Sequence, residues 1–212
     1  MVRHIGVDES GKGDFLGPLC VEGVLVDEKT EQLFADAGIK DSKKITDKKI
    51  LEFEKLIKSN AVHSVVAISN SKYNELYNNI KNLNKLLAWG HARVIENIAE
   101  NNECDYAMSD QFGDESLIKS ALMKNGRNIE LRQMVRAESS DIAVAAASVL
   151  ARAAYVHKMD EMEQNYGMKF QKGCSDLVKT VAREFISKYG KDKLKEVAKL
   201  NFMNTKRILD IY

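Results

Sequence analysis

A chain of 212 residues, 44% hydrophobic and 30% charged, can bury one substantial core and has the composition of a soluble globular protein. Its formal net charge of +1 excludes a protein held to polyanions by overall charge, although from Ala151 onward 13 Lys and Arg stand against 8 Asp and Glu and would suit a phosphate backbone. Cys20, Cys104 and Cys174 are far apart and form no C-x-x-C pair, which excludes a disulfide framework and a thiolate zinc site and fits a reducing cytoplasm. Arg3, His4, Asp8 and Glu9 interrupt the first eleven residues, so neither a secretory peptide nor a membrane span is expected.

Residues 4–8 and the Val- and Leu-rich run 19–26 predict two strands, joined like a hairpin through Gly11, Gly13, Gly17 and the only proline, Pro18. Residues 46–60 space Ile50, Leu51, Phe53, Leu56 and Ile57 as an amphipathic helix capped near Thr46 or Asp47, and 61–69 is a β-rich run. Residues 82–100 predict a second helix, with Leu86, Leu87, Trp89, Val94, Ile95 and Ile98 on its apolar face. Short strands are expected at 105–109 and 129–135, then a long helix at 138–163 whose small residues suit close packing, then helices from Ser175 with a break at Tyr189-Gly190. Strands alternating with helices give an α/β class, and the opening hairpin makes the sheet mixed. No repeat, low-complexity tract or linker divides the chain, so one domain spanning 1–212 with a helical C-terminal portion is expected, as a monomer.

Residues 6–13, GVDESGKG, nearly spell the nucleotide-binding loop G-x-x-x-x-G-K-[ST]. Gly13 stands where the magnesium-holding hydroxyl belongs, and DFLGPLCVEGVLV continues into a strand where that loop requires a helix. Asp8 and Glu9 would also repel phosphates there. An apolar strand ending in two acids instead delivers carboxylates to the C-terminal edge of a sheet, where α/β proteins place their sites. Adjacent strand residues point to opposite faces, so both acids meet one metal only if the chain turns at Glu9, which Ser10-Gly11 permits. Taken alone, the pair is better explained by an Asx-type turn or a helix cap. Asp110 ends the next strand in CDYAMSDQFG, and Glu138 and Asp141 open the long helix, where either also favours the helix dipole. If they meet, Asp8, Glu9, Asp110 and Glu138 form a set of hard oxygen ligands suited to magnesium or manganese and not to zinc. His4, His63, His91 and His157 are scattered and are read as surface or core residues; Trp89 and Phe112 are likewise assigned no substrate.

In order along the chain, GVDESGKGDFLGP, GIKDSKKITD, NLNKLLAWGHA, SDQFG, RAESSDIAVAAASVLAR and LNFMNTKRIL resemble the successive motifs of the type 2 ribonucleases H, and are more similar to bacterial ribonuclease HIII than to ribonuclease HII. The resemblance implies a ribonuclease H-like fold, with a mixed central β-sheet flanked by helices and a helical C-terminal portion over about 165–212. It implies cleavage of the RNA strand of RNA–DNA hybrids to 3′-hydroxyl and 5′-phosphate ends, with Asp8, Glu9, Asp110 and Glu138 as the four acids of the site. Two ions of Mg2+ or Mn2+ would then activate the water and stabilise the leaving oxygen. Glu138, where ribonuclease HII usually has Asp, and Asp14 after the glycine loop point to the HIII branch. Gly11, Lys12 and Gly13 would present backbone groups to the 2′-hydroxyl, the group that separates RNA from DNA. Ser42, Lys43 and Lys44 are candidate phosphate contacts, with a solvated turn as the plain alternative. Ribonuclease HIII typically carries an N-terminal substrate-binding domain resembling the TATA-binding protein, and the first motif here begins at Gly6, leaving no room for one before it. Gly11-Lys12-Gly13 is similar to the basic tripeptide of ribonuclease HII, which keeps open cutting at single embedded ribonucleotides. A non-catalytic hybrid-binding protein is the alternative from another class; four acids without metal would oppose a polyanion.

Overall fold

The structure is a computed structural model that describes residues 2–40, 42 and 45–208. The described chain runs β1 (Arg3–Ser10), β2 (Leu19–Asp27), α1 (Glu28–Asp36), α2 (Asp47–Asn60), β3 (Val62–Ile68), α3 (Asn70–Ile80), α4 (Leu83–Ala99), β4 (Tyr106–Asp110), α5 (Glu115–Ala121), β5 (Glu130–Met134), α6 (Ile142–Tyr166), α7 (Asp176–Tyr189) and α8 (Met203–Ile208). A 3₁₀ turn stands at Ala137–Ser139 and a short 3₁₀ helix at Lys191–Glu196. Two compact units emerge. One comprises the chain up to Ser10, Cys20–Val66 and Asn82–Ala154; the other comprises Gly11–Leu19, Ala67–Lys81 and the chain from Tyr155.

The first unit is built on a five-stranded sheet of order β3-β2-β1-β4-β5. β1 and β2 are antiparallel, whereas β1 with β4 and β4 with β5 are parallel, so the sheet is mixed as expected. The parallel pairing aligns the C-terminal ends of β1 and β4, with Val7 opposite Ser109. On one face, Val24 and Val26 of β2 pack with Ile50, Phe53 and Ile57 of α2 and the alanine-rich start of α6. Gly6 allows this contact, because a Cβ there would lie 2.1 Å from the Ala143 carbonyl carbon. Helix α4 covers the other face, where a Cβ on Gly23 would meet Val94 and Ile98. By length and composition α6 could cross a membrane, yet most of its apolar window is buried inside the protein.

Side-chain caps set most helix starts: Asp27 accepts from Thr30 N at 2.9 Å, Asn82 from Lys85 N at 3.1 Å and Asp141 from Val144 N at 2.9 Å. The last of these corrects the expected start of the long helix. Glu138 lies in the preceding 3₁₀ turn, and the helix runs from Ile142 to Tyr166 instead of 138–163 because Asp141 is its cap. Two helices were not anticipated. α1, EKTEQLFAD, buries only Phe34, and α3, NSKYNELYNNI, buries Asn70, Tyr73 and Asn74, so neither shows an apolar stripe.

In the second unit the loop Gly11–Leu19 is tied down on several sides. Asn70 donates to the Gly17 carbonyl at 2.8 Å, Phe15 N to Gly173 O at 2.9 Å, and the Tyr155 hydroxyl to Leu16 O at 3.2 Å. Lys199, with no exposed surface, donates to the carbonyls of Asp14 at 2.9 Å and Gly17 at 2.5 Å. Asn74 holds the strap that carries Lys199, donating to Ala198 O at 2.9 Å and accepting from Leu200 N at 2.8 Å.

Candidate active site

The four acids all belong to the first unit, three of them on strand ends. Asp8 is buried near the end of β1, and Asp110 ends the adjacent β4. Asp110 Oδ1 accepts from Ala137 N at 3.2 Å, which draws the 3₁₀ turn carrying the buried Glu138 onto the same strand end. Burial raises the Asp8 carboxyl well above the usual carboxylate range, and the charges of Glu9 and Asp110 raise it further. Hydrogen bonds from Glu9 N, at 2.8 Å, and from the Ser148 side chain act in the opposite sense.

Glu9 does not turn away from the strand. Pairing of β1 with β2 continues through Glu9–Val21 to Ser10–Cys20, so Asp8 and Glu9 point to opposite faces of the sheet. The Asp8 side chain meets Ser148 of α6, whereas Glu9 Oε2 lies 2.9 Å from Nε2 of His91 on α4. His91 Nδ1 is in turn 3.0 Å from Ser109 Oγ, an oxygen that also lies 3.0 Å from the Asp110 carbonyl oxygen. The expected turn at Glu9 is thus replaced by a straight strand whose second acid is held from the far face.

The donor set fits a hard divalent cation: carboxylate oxygens only, gathered at one sheet edge, with one acid buried beside two others and its charged form disfavoured until positive charge compensates it. Among the described residues no three His, Cys, Asp or Glu side chains already surround one metal-sized point, so coordination by several of them takes side-chain rotation. Hydrogen-bond donors to these acids include Ser148 and Glu9 N for Asp8, His91 for Glu9 and Ala137 N for Asp110.

Ser42 is buried, its hydroxyl 2.7 Å from that of Ser148, and its carbonyl accepts from Arg152 one turn further along α6. Arg152 also donates to Asp47 Oδ1 at 2.7 Å and 2.9 Å, fixing the start of α2. Ser42 is therefore two hydrogen bonds from Asp8, an arrangement that the sequence reading did not contain. Lys43 and Lys44 lie outside the described residues.

Gly11, Lys12 and Gly13 follow directly after β1 and belong to the second unit. Gly11 has φ +88°, and a Cβ there would lie 2.2 Å from Pro18 O and 2.8 Å from the Tyr155 ring. Gly13 is exposed, and a Cβ there would meet no atom within 4 Å. The fold requires a glycine at the first position and makes no such demand at the second. Lys12 is partly buried between them.

His91 and Ser109 carry the contacts that sequence reasoning missed. Their only sequence signal was a polar residue on the apolar stripe of α4 and another just before Asp110.

A family model described as ribonuclease HII matches residues 5–205. The chain is 40% identical to the ribonuclease HIII of Protochlamydia amoebophila over 209 residues, covering 99% of this chain and 69% of that protein. It is 44% identical to the ribonuclease HIII of Chlamydia felis, covering 98% of this chain and 70% of the relative. The crystal structure of Bst-RNase HIII in complex with Mn2+ superposes with a TM-score of 0.91 at 30% identity, over 99% of this chain and 70% of that one. Ribonuclease H2 from Pyrococcus horikoshii, at 22% identity and TM-score 0.85, shares the fold.

Proposed function

Because the chain belongs to the ribonuclease HII family, as a type 2 ribonuclease H most similar in kind to ribonuclease HIII, we propose that it cuts the RNA strand of RNA–DNA hybrids, leaving 3′-hydroxyl and 5′-phosphate ends. The observation that carries this reading is the buried Asp8 carboxyl beside Glu9 and Asp110, with Asp110 bonded to the turn that holds Glu138. Asp8, Glu9, Asp110 and Glu138 would hold Mg2+ or Mn2+, two ions in all, and Mn2+ is the ion in the related Bst-RNase HIII crystal. The metal chemistry supplied is activation of the attacking water and stabilisation of the leaving oxygen.

The residues of this chain do the remaining work. Ser148 and the Glu9 amide hold the Asp8 carboxylate by its hydrogen bonds, and Ala137 N holds that of Asp110. Gly11, Lys12 and Gly13 approach the ribose, where the 2′-hydroxyl marks RNA. Gly13 supports this role: its glycine is unexplained by neighbouring atoms and suits a backbone that a ligand must approach closely. Ser42, buried with its hydroxyl on Ser148, does not serve as the expected phosphate contact, a role we propose for Lys43 and Lys44, and Lys12 adds charge to the same strand of nucleic acid.

The test is incubation with Mg2+ or Mn2+ and three duplexes: hybrid, all-DNA, and DNA with one ribonucleotide. Cleavage of the hybrid at its RNA strand is expected, with none of all-DNA. Failure to cut either ribose-containing duplex with any metal overturns the nuclease reading. Asp8→Asn and Asp110→Asn each abolish cutting while hybrid binding persists, with losses of at least about 10³-fold expected for removal of a metal ligand of this kind. Activity within a few-fold of the parent would remove that residue from the metal site.

A further inference from the structure

We propose that His91 is a positioning residue that keeps the carboxylate of Glu9 at the end of β1 on the α4 side and so sets its affinity for metal, an inference that rests on the reading of Glu9 as a metal ligand. His91 lies in the middle of α4 and has no exposed surface, so it has no access to a nucleic acid. Both of its ring nitrogens are engaged. Nε2 is 2.9 Å from Glu9 Oε2 and Nδ1 is 3.0 Å from Ser109 Oγ. An ionised carboxylate only accepts, so the proton on this contact sits on Nε2. The Phe112 ring meets the imidazole edge-on at a centroid distance of 4.8 Å and an interplanar angle of 64°, so the ring is restrained in its plane by two hydrogen bonds and across it by an aromatic contact.

The connection has a direction. Glu9 departs from the β1 end on the α4 side of the sheet, opposite the face on which Asp8 meets Ser148. His91 supplies a donor from the helix on that side. Ser109, the residue immediately before Asp110, anchors the ring, its hydroxyl donating to Nδ1 at 3.0 Å while the ring proton sits on Nε2. Two hydrogen bonds therefore run from the Glu9 carboxylate through His91 to Ser109, the residue before Asp110, and link two proposed ligands on adjacent strands. An apolar helix face needs no imidazole for packing, and a wholly buried one is costly unless both nitrogens are satisfied, as they are here. Carboxylates that bind metals depend on such outer partners, whose removal typically lowers metal affinity by about 10–100-fold.

The test measures Mn2+ binding to the metal-free protein by electron paramagnetic resonance or calorimetry, next to cleavage of a hybrid across a Mn2+ titration. His91→Leu, close in volume but without a donor, is expected to weaken Mn2+ binding by about 10–100-fold. The Mn2+ concentration for half-maximal cleavage should rise in parallel, while the rate at saturating Mn2+ falls much less. His91→Gln, whose amide can donate to Glu9, is expected to recover most of the affinity. Glu9→Gln separates the two readings: parent-like Mn2+ affinity there overturns Glu9 as a ligand. Lost affinity in Glu9→Gln with parent affinity in His91→Leu overturns the positioning role alone. Equal losses in His91→Leu and His91→Gln also overturn it, since the donor would then not be what matters. So would failure of both His91 variants to fold by circular dichroism, which would make the residue one of stability only.

Discussion

Gly11 and Gly13, two positions apart, are glycine for different reasons, and substitution separates them. Gly11→Ala places a Cβ on a left-handed backbone and against Pro18 O, and is expected to cost about 1–3 kcal/mol of stability, visible as a lower Tm. Gly13→Ala meets open space and should leave Tm unchanged while kcat/KM on hybrids falls by at least about tenfold, or about 1.4 kcal/mol of transition-state binding. A Gly13→Ala protein that cuts hybrids like the parent would remove this residue from ribose recognition. The strand ends that carry Asp8, Glu9 and Asp110 were readable in hydrophobic patterning, whereas Glu138, expected to open the long helix, lies in the 3₁₀ turn before it because Asp141 is the cap. His91 was not readable, because its partners Glu9 and Ser109 lie 82 and 18 residues away and its immediate neighbours are those of an apolar helix face. The straight course of β1 through Glu9 was also hidden: Ser10-Gly11 permits a turn, but pairing with Val21 and Cys20 holds the strand extended.

β2 is buried along almost its whole length, and one of its inward residues is Glu22, with Oε2 lacking a hydrogen-bond partner among the described residues. Burial pushes the Glu22 carboxyl up to about 8, with Lys58 opposing the rise and Glu54 adding to it. The unfolded chain releases this proton near 4.5, so it binds fewer protons than the folded one between the two values. Stability from this group therefore falls as pH rises from about 4.5 to about 8 and is level above. Glu22→Gln is expected to raise the unfolding free energy at pH 8–9 by roughly 1–3 kcal/mol and to change little at pH 4, as read by urea unfolding across that range. A variant less stable than the parent at pH 9 would contradict this. The elements that patterning revealed were those with an apolar stripe, such as α2 and α4. α3 escaped because its buried face is amide-rich, and Asn70 and Asn74 are there to satisfy loop carbonyls. Composition cannot announce such a helix.

With a net charge of only +1, the protein has little long-range attraction for a hybrid, and affinity must come from local phosphate contacts and from cations that compensate the acids. Hybrid affinity is therefore expected to fall with salt at a modest log–log slope of about −2 to −5, corresponding to a few phosphates. Fluorescence anisotropy between 50 and 200 mM KCl on a catalytically inactive variant measures it, and a slope near zero would exclude phosphate contacts as the source of affinity. The α/β class and mixed sheet followed from the order of strands and helices. The division into two units did not, because three separated stretches of chain make up each of them and no linker marks a boundary.

The bond from Lys199 to the Asp14 carbonyl spans 185 residues and has a meaning in time. At a synthesis rate of about 5–20 residues per second, the glycine loop leaves the ribosome roughly 10–40 s before the side chain that fastens it exists. The loop proposed to read the ribose therefore cannot take its final form until Lys199 has been made. Messages truncated before Lys199 would yield chains that keep Asp8, Glu9, Asp110 and Glu138 and lack the clamp on the loop that follows Ser10 in sequence.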